Sequence, residues 1–320
     1  MAKRLFTFCL VLVLVSSTIF AQAEFEKADQ ANKLNVELAV MAGPTGFSSA
    51  KITKDNGKIN SDVIVNTSVY ASPNEVVAKL TNGDVDVAAL PTTLAVVLYN
   101  KGVDIKLAAV IGEGMLSVVS SSSNWSNTKI QIPGGPASSP NQIASMLISE
   151  NGLKTEDFDI DYSITSSAQL AQLLIANKAE TALLPEPFTT MVLSKNPNLK
   201  VVLDVQDVYK ATTGVDNYPM TVLVVQNKFA QEHPQALKAI LRAYKDSVAY
   251  VLANPSEAAK TIEATNIMPS AMAEPAIPNC NLVYSDMEKA KEQVSSYFDL
   301  LYNFNPSSVG GQIPDEGFYL

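Results

Sequence analysis

The chain has 320 residues, 47% hydrophobic and 17% charged, with a formal net charge of -9. At roughly 150 residues per domain, that length and apolar content suggest a globular protein of two domains. The acidic balance leaves no electrostatic footprint for nucleic acid. One His (His233) and two Cys (Cys9, Cys280) exclude a Cys/His zinc centre, a disulfide framework and an ordinary Ser-His-Asp relay.

The first element is an address. Lys3 and Arg4 precede an apolar run over 5–20, and Ala21-Gln22-Ala23 forms an A-x-A cleavage box, so residues 1–23 read as a secretory signal peptide. Cys9 follows Phe8 and lacks the small neighbour that a lipid-attachment site needs. The expected product is soluble and exported, periplasmic in a two-membrane cell. Cys280 is then a lone thiol, expected to be buried as a small hydrophobe.

Apolar runs over 34–41, 62–69, 85–90, 105–111 and 115–120 are expected strands, with helical spacing over 74–80 and 92–99 between them. After the Ser/Asn-rich stretch 120–128 the alternation restarts, with strands at 129–132, 159–164 and 181–184 and helices at 141–150 and 168–177. A further strand at 220–225 leads into helices at 234–253, 255–265 and 286–302. Alternating strands and helices make crossover units and largely parallel sheets, so the fold class is α/β. The halves resemble each other: laying Asp86–Pro91 over Glu180–Pro185 also brings Ser72 onto Ser166 and Leu80 onto Leu174. A Gly-Pro pair follows the first strand of each half, at Gly43-Pro44 and Gly135-Pro136. Two lobes on one plan are the expectation, 34–119 with 225–320 and 124–224, joined by crossovers near 120–128 and 214–220 that act as a hinge.

Ligands of open parallel sheets sit beyond the carboxyl ends of strands. The loops there supply the candidate binding residues Pro44, Thr45, Pro91, Thr92, Thr93, Glu113, Gly135, Ser138, Ser139, Glu186 and Tyr218. In 134–142 the glycines allow close backbone approach, and Ser139 to Gln142 matches a capping box. No Walker or dinucleotide fingerprint is present. Glu113 and Glu186 are the two carboxylates placed at the expected cleft, without spacing that demands acid/base chemistry. Asp84 and Asp86 are expected to cap or salt-bridge a turn, and His233 to cap the helix after it or lie at the surface. Trp125 suits either stacking on a ligand or packing at the hinge. These loops hold no Lys or Arg, which favours a neutral or amine-bearing ligand over an anion.

The string Gly83-Asp84-Val85-Asp86-Val87-Ala88-Ala89-Leu90-Pro91, the 134–140 loop, Leu184-Pro185-Glu186-Pro187-Phe188 and the tail around Pro278-Asn279-Cys280 and Gly310-Gly311-Gln312-Ile313-Pro314-Asp315 resemble ABC-transporter solute-binding proteins of the nitrate/sulfonate/taurine and thiamine-precursor type. That resemblance implies a two-lobed periplasmic-binding-protein fold of class II type, a small-molecule ligand held between lobes, permease and ATPase subunits as partners, and no cofactor or metal. A monomer is expected. A vitamin-precursor heterocycle is the favoured ligand, with a sulfonate or nitrate-type anion as the alternative. A related branch makes the thiamine pyrimidine using His and a Cys-rich motif; this chain has no Cys cluster, so a binding protein is expected rather than an enzyme.

Overall fold

The computed structural model describes residues 33–320. The expected signal segment 1–23 lies outside them. In chain order the first elements are β1 (Leu34–Met41), α1 (Pro44–Ser48), α2 (Ala50–Lys54), β2 (Val63–Tyr70), α3 (Pro73–Asn82), β3 (Val87–Pro91), α4 (Thr92–Asn100) and β4 (Ile105–Glu113). There follow β5 (Leu116–Ser120), β6 (Ile130–Gln131), α5 (Ser139–Glu150), β7 (Ile160–Asp161), α6 (Ser167–Ile175), β8 (Thr181–Pro185), α7 (Phe188–Lys195), β9 (Lys200–Asp204) and α8 (Val205–Thr213). The chain ends with β10 (Pro219–Gln226), α9 (Asn227–Glu232), α10 (Pro234–Ala253), α11 (Pro255–Ala264), α12 (Ser270–Ala276), β11 (Leu282–Asp286) and α13 (Met287–Phe304).

Two sheets form, in the orders β11-β4-β10-β3-β1-β2 and β7-β6-β8-β5-β9. In the first, β1 runs parallel to β2 and β3, while β10 lies antiparallel between β3 and β4. In the second, β6 is parallel to β7 and β8, and β5 is antiparallel to β8 and β9. Each sheet therefore receives one strand from the chain's passage to or from the other. The likeness of the halves extends to backbone conformation. Aligning Leu80 with Leu174 carries Gly83 onto Asn177, and both are left-handed, at φ 76° and 55°, just past α3 and α6. Gly and Asn are the residues that tolerate this helix-ending geometry.

The passages between sheets differ from the expected ones. β5 pairs wholly with β8 and β9, so 116–119, expected in the first lobe, belong to the second sheet and the chain crosses at Gly114-Met115. β10 pairs wholly with β3 and β4, so 219–224, expected in the second lobe, belong to the first sheet. The apolar run of β10 is buried on both faces, which only an interior strand position allows. The strands β9 and β11 and the helix α8 were not expected. Both strands lie at sheet edges, where partial exposure erases the apolar pattern.

Three apolar clusters hold these layers. One lies between α3, α4 and α13 and the first sheet and continues without a break onto β5, β6, α5 and α8 of the second, through Tyr209, Tyr218, Tyr297 and Phe298. A second packs α1, α2, α10, α11 and α12 on the other face of the first sheet, where Cys280 is fully buried. The third fills the far face of the second sheet under α6 and α7. Each fully buried Leu or Phe in these clusters contributes roughly 1.5–3 kcal/mol. Among the described residues no helix is long and apolar enough to cross a membrane.

Candidate functional site

The two sheets present helix starts to each other. β3 ends at Pro91 and turns directly into α4, so Thr92 and Thr93 occupy its first turn and are buried. On the opposite side the 134–138 loop leads into α5. Its cap is Ser138, one residue before the expected Ser139: the Ser138 hydroxyl accepts from Asn141 N and donates to the Pro133 carbonyl. Ser139 is thereby released from capping, and its hydroxyl shares a 2.6 Å hydrogen bond with Thr93 across the seam. Gly134 and Gly135 both take positive φ, 83° and 81°, which lets the loop turn this tightly.

Two buried oxygens at these helix starts lack a partner, Thr92 Oγ1 and Gln142 Oε1. Thr92 adjoins Thr93, and Gln142 lies one turn along from Ser139, so both belong to the elements that meet at the seam. A buried polar atom left unpaired costs about 1–3 kcal/mol, and such atoms are rare in folded proteins unless something else satisfies them.

A second contact joins the sheets at Glu186. Its carboxylate accepts from the Thr190 backbone N–H and hydroxyl at the start of α7, at 3.1 and 3.0 Å. The Thr190 hydroxyl in turn accepts from Asn279 Nδ2, from the turn that follows α12, at 2.9 Å. Glu186 is 8% exposed. Burial pushes its carboxyl above the usual range, against the opposing pull of the two bonds from Thr190.

The other expected site residues are placed differently. Pro44 opens α1, and the Thr45 hydroxyl is occupied by the Met41 backbone, accepting from its N–H and donating to its carbonyl. Glu113 ends β4 and accepts from Gln293 Nε2 on α13 at 3.2 Å, turned toward that helix. Tyr218, expected to contact ligand, is fully buried beside the two crossings between the sheets. Its ring packs between Tyr209 and Tyr297, at centroid distances of 5.1 and 6.0 Å, and its hydroxyl donates to Gln206 Oε1 at 3.0 Å. Around it the two crossings are tied together: Gly114 N–H donates to Tyr218 O and Asn217 Oδ1, and Gln293 Nε2 also donates to Asn217 O. Gly114 is required there, because a Cβ would come within 2.4 Å of the Tyr218 ring.

Trp125 lies beyond β5 and packs on the continuous apolar cluster. The His233 side chain caps nothing; its ring rests 5.3 Å from that of Phe229. Asp84 pairs with Lys79, and Asp86 accepts from the Glu37 N–H. Among the described residues no group of three His, Cys, Asp or Glu side chains is placed to hold a metal.

The family model described as NMT1/THI5 like matches residues 60–258, from just before β2 to the first turn of α11. The chain belongs to the NMT1/THI5-like family. Solved structures share its fold. An ABC transporter protein from Parabacteroides distasonis superposes with a TM-score of 0.78 at 24% identity, covering 89% of this chain and 98% of that one. The periplasmic aliphatic sulphonate binding protein SsuA from Escherichia coli gives 0.72 at 12% identity, covering 89% and 92%. The alkanesulfonate-binding protein SsuA from Xanthomonas axonopodis pv. citri, bound to MOPS, gives 0.65 at 12%, covering 88% and 94%. No curated protein matches the sequence. The architecture of this NMT1/THI5-like chain is the periplasmic-binding-protein fold, as the sequence resemblance implied.

Within that fold, Thr190 and Asn279 make the second contact between the sheets and Gln142 lies one turn into α5 from Ser139, although none of the three was among the candidate binding residues. Gln142 closes the 134–142 loop that the sequence marks out, where it was expected to complete a capping box. The other two carry no local signal, since what recruits them is the approach of α7 to the turn after α12.

Proposed function

We propose that this NMT1/THI5-like protein is the solute-binding component of an ABC importer, exported after cleavage behind Ala23. It takes up a small organic molecule between two lobes and passes it to a membrane permease driven by an ATPase. The lobes are 34–113 with 219–320 and 116–213, and they close about Gly114-Met115 and 214–218. The observation that carries this reading is the seam itself. Helix starts from two different sheets meet there through Thr93 and Ser139, with Thr92 Oγ1 and Gln142 Oε1 buried and unpaired beside the contact. The fold shared with named binding proteins supports it further.

The lining favours a ligand that donates hydrogen bonds. Gln142 Oε1 is an acceptor, Glu186 is a buried carboxylate with lone pairs left over after Thr190, and the loops carry no cation to balance an anion. An amine-bearing heterocycle of the vitamin-precursor kind meets those demands. Glu186 is engaged by its own helix and not poised over a nucleophile, which supports capture without turnover. The test is to purify the protein without denaturation, measure its intact mass, then denature it and identify what is released. One stoichiometric nitrogen heterocycle, recovered unaltered after rebinding, is the expected result; conversion of that molecule on incubation would overturn the reading.

A further inference from the structure

Away from the seam, α10 carries two parallel stripes along the same flank. Pro234, Leu237 and Leu241 are apolar, while Lys238, Arg242 and Lys245 recur beside them at spacings of four and three residues, on the same flank of the helix. From Pro234 to Lys245 this flank runs about 16 Å. With Tyr284 and Asp286 of β11 and with Leu320 it walls a groove of about 560 Å³, a volume suited to a small ligand.

Three cations and one carboxylate side chain line the groove. In a chain of net charge -9, Lys51, Lys79, Lys210, Lys260 and Lys291 each hold a carboxylate. Lys238, Arg242 and Lys245 form no ion pair among the described residues and are exposed together. Arg242 is the one arginine of residues 33–320. A guanidinium grips a carboxylate or phosphate through two parallel hydrogen bonds, which an ammonium cannot do. Asp286, the one acidic side chain in the lining, keeps a buried Oδ1 with no partner, an acceptor for a ligand N–H or O–H. Burial and the neighbouring Asp286 push the Tyr284 phenol up to about 12, so it stays protonated and able to donate.

We propose that this groove is a second binding site, for a free amphipathic monoanion whose apolar tail lies along Leu237 and Leu241 and whose anionic head is held by Arg242 and Lys245, with an adjacent amide or hydroxyl donating to Asp286. An N-acylated amino acid has all three parts. The site shares no residue with the seam and does not depend on the transport reading.

N-Octanoylglycine, below its micelle concentration, is the probe for calorimetric titration into the full chain. One-to-one binding is expected, with affinity at least tenfold lower in Arg242→Gln and in Lys245→Gln and a smaller loss in Arg242→Lys, which keeps charge but not the fork. Octanoylglycinamide, which lacks the anion, should bind at least tenfold more weakly than the acid, and Glu186→Gln should leave the acid's affinity unchanged. Equal binding of acid and amide, indifference to Arg242→Gln, loss of binding in Glu186→Gln, or attachment to phosphatidylglycerol vesicles without binding of the monomeric probe would each overturn the proposal.

Discussion

The two sheets meet in two places that are built in opposite ways. On the hinge side, Tyr209, Tyr218 and Tyr297 sit in one unbroken apolar cluster, and the Tyr218 hydroxyl and the backbone around Gly114 and Asn217 find partners. On the seam side, a hydroxyl pair and a Glu186–Thr190–Asn279 chain touch across the gap while two oxygens beside them remain unpaired. Saturated packing makes a contact that is costly to change. Unsaturated polar contact makes one that opens cheaply and gains from a guest. On the proposed reading, the first place is the pivot and the second the mouth.

Substitutions on the two sides should separate accordingly. The largest effect belongs to Tyr218→Ala, which empties a fully buried ring site and should lower stability by about 3–5 kcal/mol in urea unfolding. Gly114→Ala drives a methyl into that ring and should cost about 1–3 kcal/mol by the same measurement. If either is tolerated, the hinge is not the rigid side.

At the seam, Thr93→Val and Ser139→Ala should each cost about 0.5–1.5 kcal/mol, and the double variant should cost little more than one of them, because the two hydroxyls serve a single bond. Additive losses would mean that they act separately. Glu186 gives a pH signature. The folded state holds its proton more tightly than the unfolded chain does, so stability falls as pH rises from the ordinary value of 4.5 through the raised folded one. Asp86, raised mainly by burial, adds a slope of the same sign from 3.8 upward. Glu186→Gln should therefore flatten part of the decline and leave the portion from Asp86. An unchanged profile would show that Glu186 titrates as if solvated. Thr92→Val acts in the opposite direction: it replaces an unpaired buried hydroxyl by a methyl of similar shape and should stabilise the unliganded protein by about 1 kcal/mol, a gain that would be absent if ordered water already satisfies the hydroxyl.

The hinge and the seam also differ in how far the sequence revealed them. The long helix 234–253 and the strand 34–41 are bounded in the structure as the sequence suggests, because Pro at a helix start and a doubly buried strand are local, strong signals. The positions of Thr92, Thr93, Ser139 and Glu186 were legible for a related reason: each follows a strand end that turns into a helix, which says where they lie and not what they hold. The burial of Tyr218 was not legible because its hydroxyl partner, Gln206, sits on α8, a helix the sequence reading lacked. The crossing at Gly114 was hidden because β4 and β5 read as consecutive strands of one sheet, and only their pairing partners reveal the change.

On the proposed reading the seam, and not the packed crossings, receives a hydrogen-bond-donating solute. Calorimetric titration of aminopyrimidines and of alkylsulfonates into the wild-type protein and Gln142→Leu tests it most directly. Saturable binding of an aminopyrimidine to the wild type is expected, at least tenfold weaker in Gln142→Leu, with a urea midpoint in the absence of ligand that is equal to or above that of the wild type. Binding of sulfonates alone, or aminopyrimidine affinity that Gln142→Leu leaves intact, would contradict it.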